Sequence, residues 1–243
     1  MSSGNLLVFI SRFDISLLVL AAVGVVFFLL NIFFHLREKN NLKNSLPSIL
    51  GTDPSQIDSL PEEKKVKLIF DYLINNISYK GLDKDAKRPL LRDSAFHTYQ
   101  SKKGYCGENA RLAITLLSEV GIRANRIYLI GKLWEHVLIE CYVNQKWYLF
   151  DGHNDETTRF TEKDLFTIPS PSIQLLPNRN EINPWVDYHR IKLFYKTVFF
   201  ERLKYVRLPQ FVINIAESPF LLKAFASLFA AVCLLLFILI HKS

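Results

Sequence analysis

Cysteine is scarce in this sequence, methionine is nearly absent and internal repeats are missing altogether. The three cysteines, Cys106, Cys141 and Cys233, form an odd set without framework spacing, which excludes a small secreted domain stapled by disulfides. There is no helix-turn-helix pattern, zinc knuckle or glycine-rich basic tract, so no nucleic-acid partner is expected despite a formal charge of +7. An anionic membrane surface suits that excess better. No metal-ligating cluster and no cofactor motif can be found, and neither a metal nor a cofactor is expected.

Long apolar runs, by contrast, occur twice. Ile15 to Phe34 reads ISLLVLAAVGVVFFLLNIFF, with Asn31 its one polar side chain of any size. About twenty residues at ~1.5 Å rise cross a ~30 Å hydrocarbon core. Ala224 to Ile240 reads AFASLFAAVCLLLFILI, and it is long enough too once Phe220 to Leu222 are included and Lys223 snorkels. The first run is too long for a signal-peptide core, and no small-x-small cleavage site precedes the charged stretch at Arg37. The expected organisation is a short tail over 1–14, a transmembrane helix over 15–36, a domain over 44–187, a juxtamembrane segment over 188–218 and a second transmembrane helix over 219–240. Membrane lipid is thus an expected partner. Arg37, Lys39 and Lys43 flank the first span on the domain side, and Arg202, Lys204 and Arg207 precede the second. On the far sides of the two spans lie only Arg12 and Lys242. That asymmetry predicts a cytoplasmic domain. From Tyr188 to Arg207 basic and aromatic residues interleave. The stretch reads either as an amphipathic helix packing on the domain or as a basic–aromatic helix lying on anionic headgroups.

Within the domain, Pro61-Glu62-Glu63 opens a helix on which Val66, Ile69, Phe70, Leu73 and Ile77 share one face. Gly81 to Asp93 is charged and irregular, as in a surface loop. Cys106 starts a second helix, with Ala110, Ala113, Ile114, Leu117 and Val120 on its apolar face and Gly121 as its stop. Strands are predicted over Arg126–Ile130, Trp134–Val143 and Lys146–Asp151, with Asn144-Gln145 a tight turn between the last two. A two-residue turn pairs residues whose numbers sum to 289, so that Leu138 faces Asp151 and His136 lies diagonal to it. A register one step tighter sets His136 directly opposite Asp151. Either register leaves both side chains on one face of the sheet. His153 competes for His136 in the first register, but a carboxylate both orients and stabilises imidazolium and is preferred.

A thiol attacks carbonyl carbon as thiolate, which a helix start and a neighbouring imidazolium both favour. Cys106 has the first by position, and His136 with Asp151 supplies the second. Cys141, on a predicted strand, and Cys233, in an apolar run, read as packing residues.

Gly104-Tyr-Cys106-Gly-Glu-Asn-Ala-Arg-Leu-Ala and Leu116 to Arg126 resemble the nucleophile helix and following strand of bacterial transglutaminase-like domains. Trp134-Glu-His136 through Trp147-Tyr-Leu-Phe-Asp151 resembles that family's histidine and aspartate strands. The resemblance covers roughly Pro61 to Gly152. It implies an α+β papain/transglutaminase-like core, with a nucleophile helix packed on an antiparallel sheet. It implies Cys106 as nucleophile, His136 as base and Asp151 as orienting acid, in a bacterial inner-membrane protein. Papain-like enzymes also place a glutamine shortly before the cysteine; Gln100, six residues upstream, is the side-chain oxyanion candidate, beside the backbone N–H of Cys106. The expected activity is a cysteine-dependent peptidase, amidase or acyl transferase on a protein or peptide-like amide. The rivals are a catalytically idle membrane scaffold using the same fold to bind a partner, and an accessory protein of membrane biogenesis whose domain binds lipid-linked or glycan intermediates.

Overall fold

Between Phe34 and Ser45 the chain holds neither glycine nor proline, so nothing ends the first helix where the hydrocarbon core would. The computed structural model, which describes residues 3–80, 92–132, 135–152, 185–191 and 205–242, shows one helix, α1, over Ser3–Leu50. Its last turns leave the apolar run and enter the domain core through Leu42, Leu46, Ile49 and Leu50. The boundary expected at 44 therefore falls inside a helix. Leu42 is only 1% exposed. Gly51, in the left-handed region at φ 59°, stops it.

The periodic apolar residues behave as their spacing predicts. α2, Glu62–Asn76, buries Val66, Ile69, Phe70 and Leu73. A two-residue parallel pair then joins β1, Ser78–Tyr79, to β2, Lys103–Gly104. Between them lies α3, Ala95–Ser101, capped by the Ser94 hydroxyl, which accepts from the His97 N–H. Sequence reading did not find α3, because seven residues are too few to show a period. α4, Cys106–Glu119, follows directly and buries Ala110, Ala113, Ile114 and Leu117. Gly121 at φ 80° lets the chain turn back into the sheet.

The sheet is antiparallel throughout, in the order β5-β4-β3-β6. β3 spans Arg123–Gly131, β4 Glu135–Val143, β5 Lys146–Phe150 and β6 Trp185–His189. Asn144 and Gln145 both adopt positive φ, 47° and 66°, as a two-residue type I′ hairpin turn requires. That turn sets the pairing: Val143 faces Lys146 and Ile139 faces Phe150, the 289 register. Phe70 of α2 stacks on Phe150 at 4.3 Å and locks the helix to the sheet. α4 packs on the same layer, with Ala124, Val137, Ile139 and Cys141 in one core with its apolar face.

β6 begins before residue 187 and ends after it, so the boundary expected between 187 and 188 lies inside a strand. Tyr188 and His189 are strand residues, not the start of an amphipathic helix. Most of the remaining basic–aromatic stretch, like the loop over 81–91, Trp134 and His153, lies outside the described residues. Two of its cations are engaged within the domain. Arg190 binds both oxygens of the fully buried Glu140 at 2.6 and 2.9 Å, and Arg207 binds both at 3.1 Å.

Two further helices follow: α5, Gln210–Glu217, and α6, Pro219–Lys242. α1 over Ile15–Leu50 and α6 over Pro219–Ile240 are both long and apolar enough to cross a membrane. They pack side by side where side chains are small: a Cβ on Gly24 would lie 3.1 Å from the Ala231 Cβ. Phe34 stacks on Phe220 at 5.8 Å, and the Ser218 hydroxyl meets His35 Nδ1 at 2.9 Å. α5 ties this pair to the domain: the Gln210 side chain accepts from the Ala124 N–H at 3.0 Å, and Asn214 donates to the Ser118 hydroxyl at 3.1 Å.

Candidate active site

Cys106 is the first residue of α4, with Tyr105 as N-cap in extended conformation. The first N–H groups of a helix have no partner within it and point outward, giving the sulfur a positive surrounding. The turn is held from several sides. The Glu108 carboxylate accepts the Tyr105 N–H at 3.1 Å, and Lys80 binds the same carboxylate at 3.0 Å. Ser78 N–H donates to Lys102 O at 2.8 Å and Lys80 N–H to Gly104 O at 3.2 Å, so the two short strands fix the approach to the cysteine.

His136, near the start of β4, places Nε2 2.9 Å from Asp151 Oδ2. Asp151 follows β5 and is 3% exposed. The two are diagonal across the hairpin, as the turn dictates. Cys106, at the start of α4, also bears on the imidazole and favours its charged form. With Nε2 facing the carboxylate, Nδ1 is left for the sulfur. Burial works against the imidazolium and is the largest single influence on it; the charge and hydrogen bond of Asp151, with those of Cys106, outweigh it and raise the His136 pKa to about 10. The three residues singled out in sequence thus come together. Gln100 stands exposed on α3. Cys141 is fully buried on β4, and burial raises its thiol pKa well above the ordinary value.

Asn109, which sequence reading passed over, closes the site from below. One turn after Cys106, its side-chain amide donates to the Gly152 carbonyl at 3.2 Å, so α4 holds the chain just past Asp151. A Cβ on Gly104 would lie 2.2 Å from Asn109 Oδ1, so only glycine leaves room for it there. The spacing of Asn109 from Cys106, one helical turn, was the available signal. A cavity of about 70 Å³ lies elsewhere, lined by His35, Glu38, Ser94, Ser118 and Asn214 among others. Its lining includes none of the three site residues.

Residues 55–152 match the core of the transglutaminase-like superfamily. Among solved structures, a candidate cysteine protease from Cytophaga hutchinsonii is similar at 26% identity, covering 47% of this chain and 37% of that one, with a TM-score of 0.36. A TGase is similar at 19% identity, covering 51% and 34%, with a TM-score of 0.39. The chain therefore spans little more than a third of the length of either structure. No curated protein matches it. The likeness to the transglutaminase-like superfamily is thus carried by residues 55–152, the stretch that packs its helix on an antiparallel sheet.

Proposed function

We propose that this chain is a membrane-anchored cysteine enzyme that transfers an acyl group from an amide through a thioester at Cys106. The observation that carries the reading is His136, held at 2.9 Å by Asp151 on one ring nitrogen, with Cys106 at the start of α4 favouring its charged form. Cys106 Sγ attacks the amide carbonyl, and the thiol proton resides on His136. The carbonyl oxygen becomes an oxyanion beside the Cys106 N–H, with Gln100 as a further donor if its side chain turns inward. His136 returns the proton to the leaving amine as the C–N bond breaks, and the thioester remains. Water or an amine then gives its proton to His136, attacks the thioester and regenerates the thiol. Asp151 keeps the ring oriented and balances its charge throughout.

The test is direct. Full-length protein in detergent is mixed with an activated ester and quenched in acid. Mass analysis should find one acyl group on the Cys106 peptide, appearing as a burst and lost on standing with an amine. Acylation of other sites with Cys106 unmodified would leave the domain as a scaffold.

The membrane reading carries its own test. Arg37, Lys39 and Lys43, with Arg202, Lys204 and Arg207, support a cytoplasmic domain. An impermeant maleimide added to intact cells should leave Cys106 unlabelled, and permeabilised cells should label it. Labelling from outside reverses the orientation.

A further inference from the structure

Arg126 takes no part in these proton transfers, yet it is buried against the nucleophile's own turn. It is 6% exposed, on β3. Its Nη2 donates to the Gly107 carbonyl, the residue after Cys106, at 2.7 Å. The same guanidinium forks onto Glu217 through Nε and Nη2, the latter at 2.5 Å. A Cβ on Gly107 would lie 3.3 Å from Arg126 Nη1, so a glycine in the first turn of α4 lets the guanidinium approach. Glu217 is the last residue of α5, two positions before α6 begins. Arg111 of α4 lies 3.6 Å from the same carboxylate.

Two arginines thus share one acid, and the cluster carries surplus positive charge in a buried place. Such a surplus is costly unless an anion faces it. Among the described residues, the groups turned toward Cys106 or toward this cluster are His136 of β4, Asp151 after β5, Arg126 and Tyr128 of β3, Arg111 of α4, Glu217 of α5 and Arg92 before α3, a further cation on Arg111 and Glu217. Glu108, the acid in the first turn of α4, is engaged by Lys80. A thiolate at Cys106 is the anion that the surplus lacks. Burial opposes the charge on Arg126 most strongly, but Glu217, Tyr128 and Cys106 outweigh it, so Arg126 stays charged. An arginine neither takes nor gives a proton here, which confines it to holding and polarising.

We propose that Arg126 is a positioning residue of the thiol site, fixing the first turn of α4 and lending positive charge to Cys106, and that Glu217 at the foot of the second membrane helix sets how much of that charge the sulfur feels. The inference rests on Cys106 being the nucleophile. It makes the mounting of α6 part of the site: whatever shifts α5 relative to β3 changes the charge beneath the thiol.

Alkylation of Cys106 by iodoacetamide, followed by peptide mass in the full-length protein between about pH 5 and 10, tests it. Arg126→Met should label about tenfold more slowly near pH 7 and converge on wild type in alkaline solution, the effect of one lost cation. Glu217→Gln removes the countercharge with little change of shape and should label about threefold faster near pH 7. The opposite signs are the signature. A strut that merely holds α4 in place slows labelling whichever end is cut; that result, or no change in either variant, overturns the proposal. Should Arg126→Met not fold, Arg126→Lys replaces it, keeping charge while losing the fork. It should label within about twofold of wild type with Glu217→Gln still faster, and slowing in both overturns the proposal. His136→Ala runs alongside. If that variant leaves the labelling profile unchanged, the thiol-site reading itself fails. If it slows labelling and Arg126→Met does not, this inference alone fails.

Discussion

His136→Ala should slow thioester formation at Cys106 by about 10³–10⁴, and Asp151→Asn by about 10–10³. The difference has a physical source. Removing the imidazole removes both the proton acceptor for the thiol and the cation beside the sulfur. Replacing the carboxylate by an amide leaves its size and a hydrogen bond, but admits the wrong ring tautomer and cancels the charge that balances the imidazolium. Serine-protease triads lose about 10⁴ by that change; a thiol that already shares an ion pair with its histidine has less to lose. His153→Ala should keep most activity. A full rate in Asp151→Asn together with a loss in His153→Ala would move the third member of the triad to His153. Folding has its own pH signature. Asp151 and Cys106 raise the His136 pKa from 6.5 in the unfolded chain to about 10. The stabilisation is therefore complete below about pH 6.5 and disappears as pH rises through about 10. The wild-type unfolding temperature should fall across that window, and His136→Gln should lack this component; parallel curves would show that the imidazolium does not stabilise the fold.

Glu140→Ala is expected to destabilise the domain by about 3–5 kcal/mol, the cost of leaving buried cations without their anion. Glu140 is wholly buried on β4 and receives two N–H groups from Arg190 and two from Arg207. Arg190 is buried as well and also donates to the Tyr205 carbonyl at 2.8 Å. One acid thereby clasps the end of β6 and the chain that leads into α5. Arg207→Ala should cost less, since its side chain is a third exposed, at 32%, and water takes over its solvation. For a domain of this size the Glu140 variant should lower the unfolding temperature by on the order of 10 °C. A loss under about 1 kcal/mol would mean that water reaches the cluster and that the clasp is of surface strength.

What the sequence by itself determined is whatever a few neighbouring residues encode. The apolar face of α2 repeats at helical spacing, Gly121 ends α4, and Asn144-Gln145 accept the positive φ that a two-residue hairpin needs. That turn alone fixes the pairing of β4 with β5, and the pairing brings His136 to Asp151. Cys106 at a helix start is local in the same sense. The tertiary structure decided the rest. α1 runs on into the domain because the core offers Leu42 and Leu46 a place to be buried, while the local sequence merely fails to stop the helix. β6 is five residues long and, although Asn183-Pro184 precedes it, is recognisable chiefly by its pairing with β3. Arg190 and Arg207 read equally as cations of a helix on the domain or on a lipid surface until a buried acid 50 and 67 residues away claims them. The fork of Arg126 on Glu217 joins residues 91 apart. Periodicity and turn preference act over a few residues, so they can be read along the chain. The partner of a buried charge is chosen by desolvation, which depends on what the completed fold brings next to it.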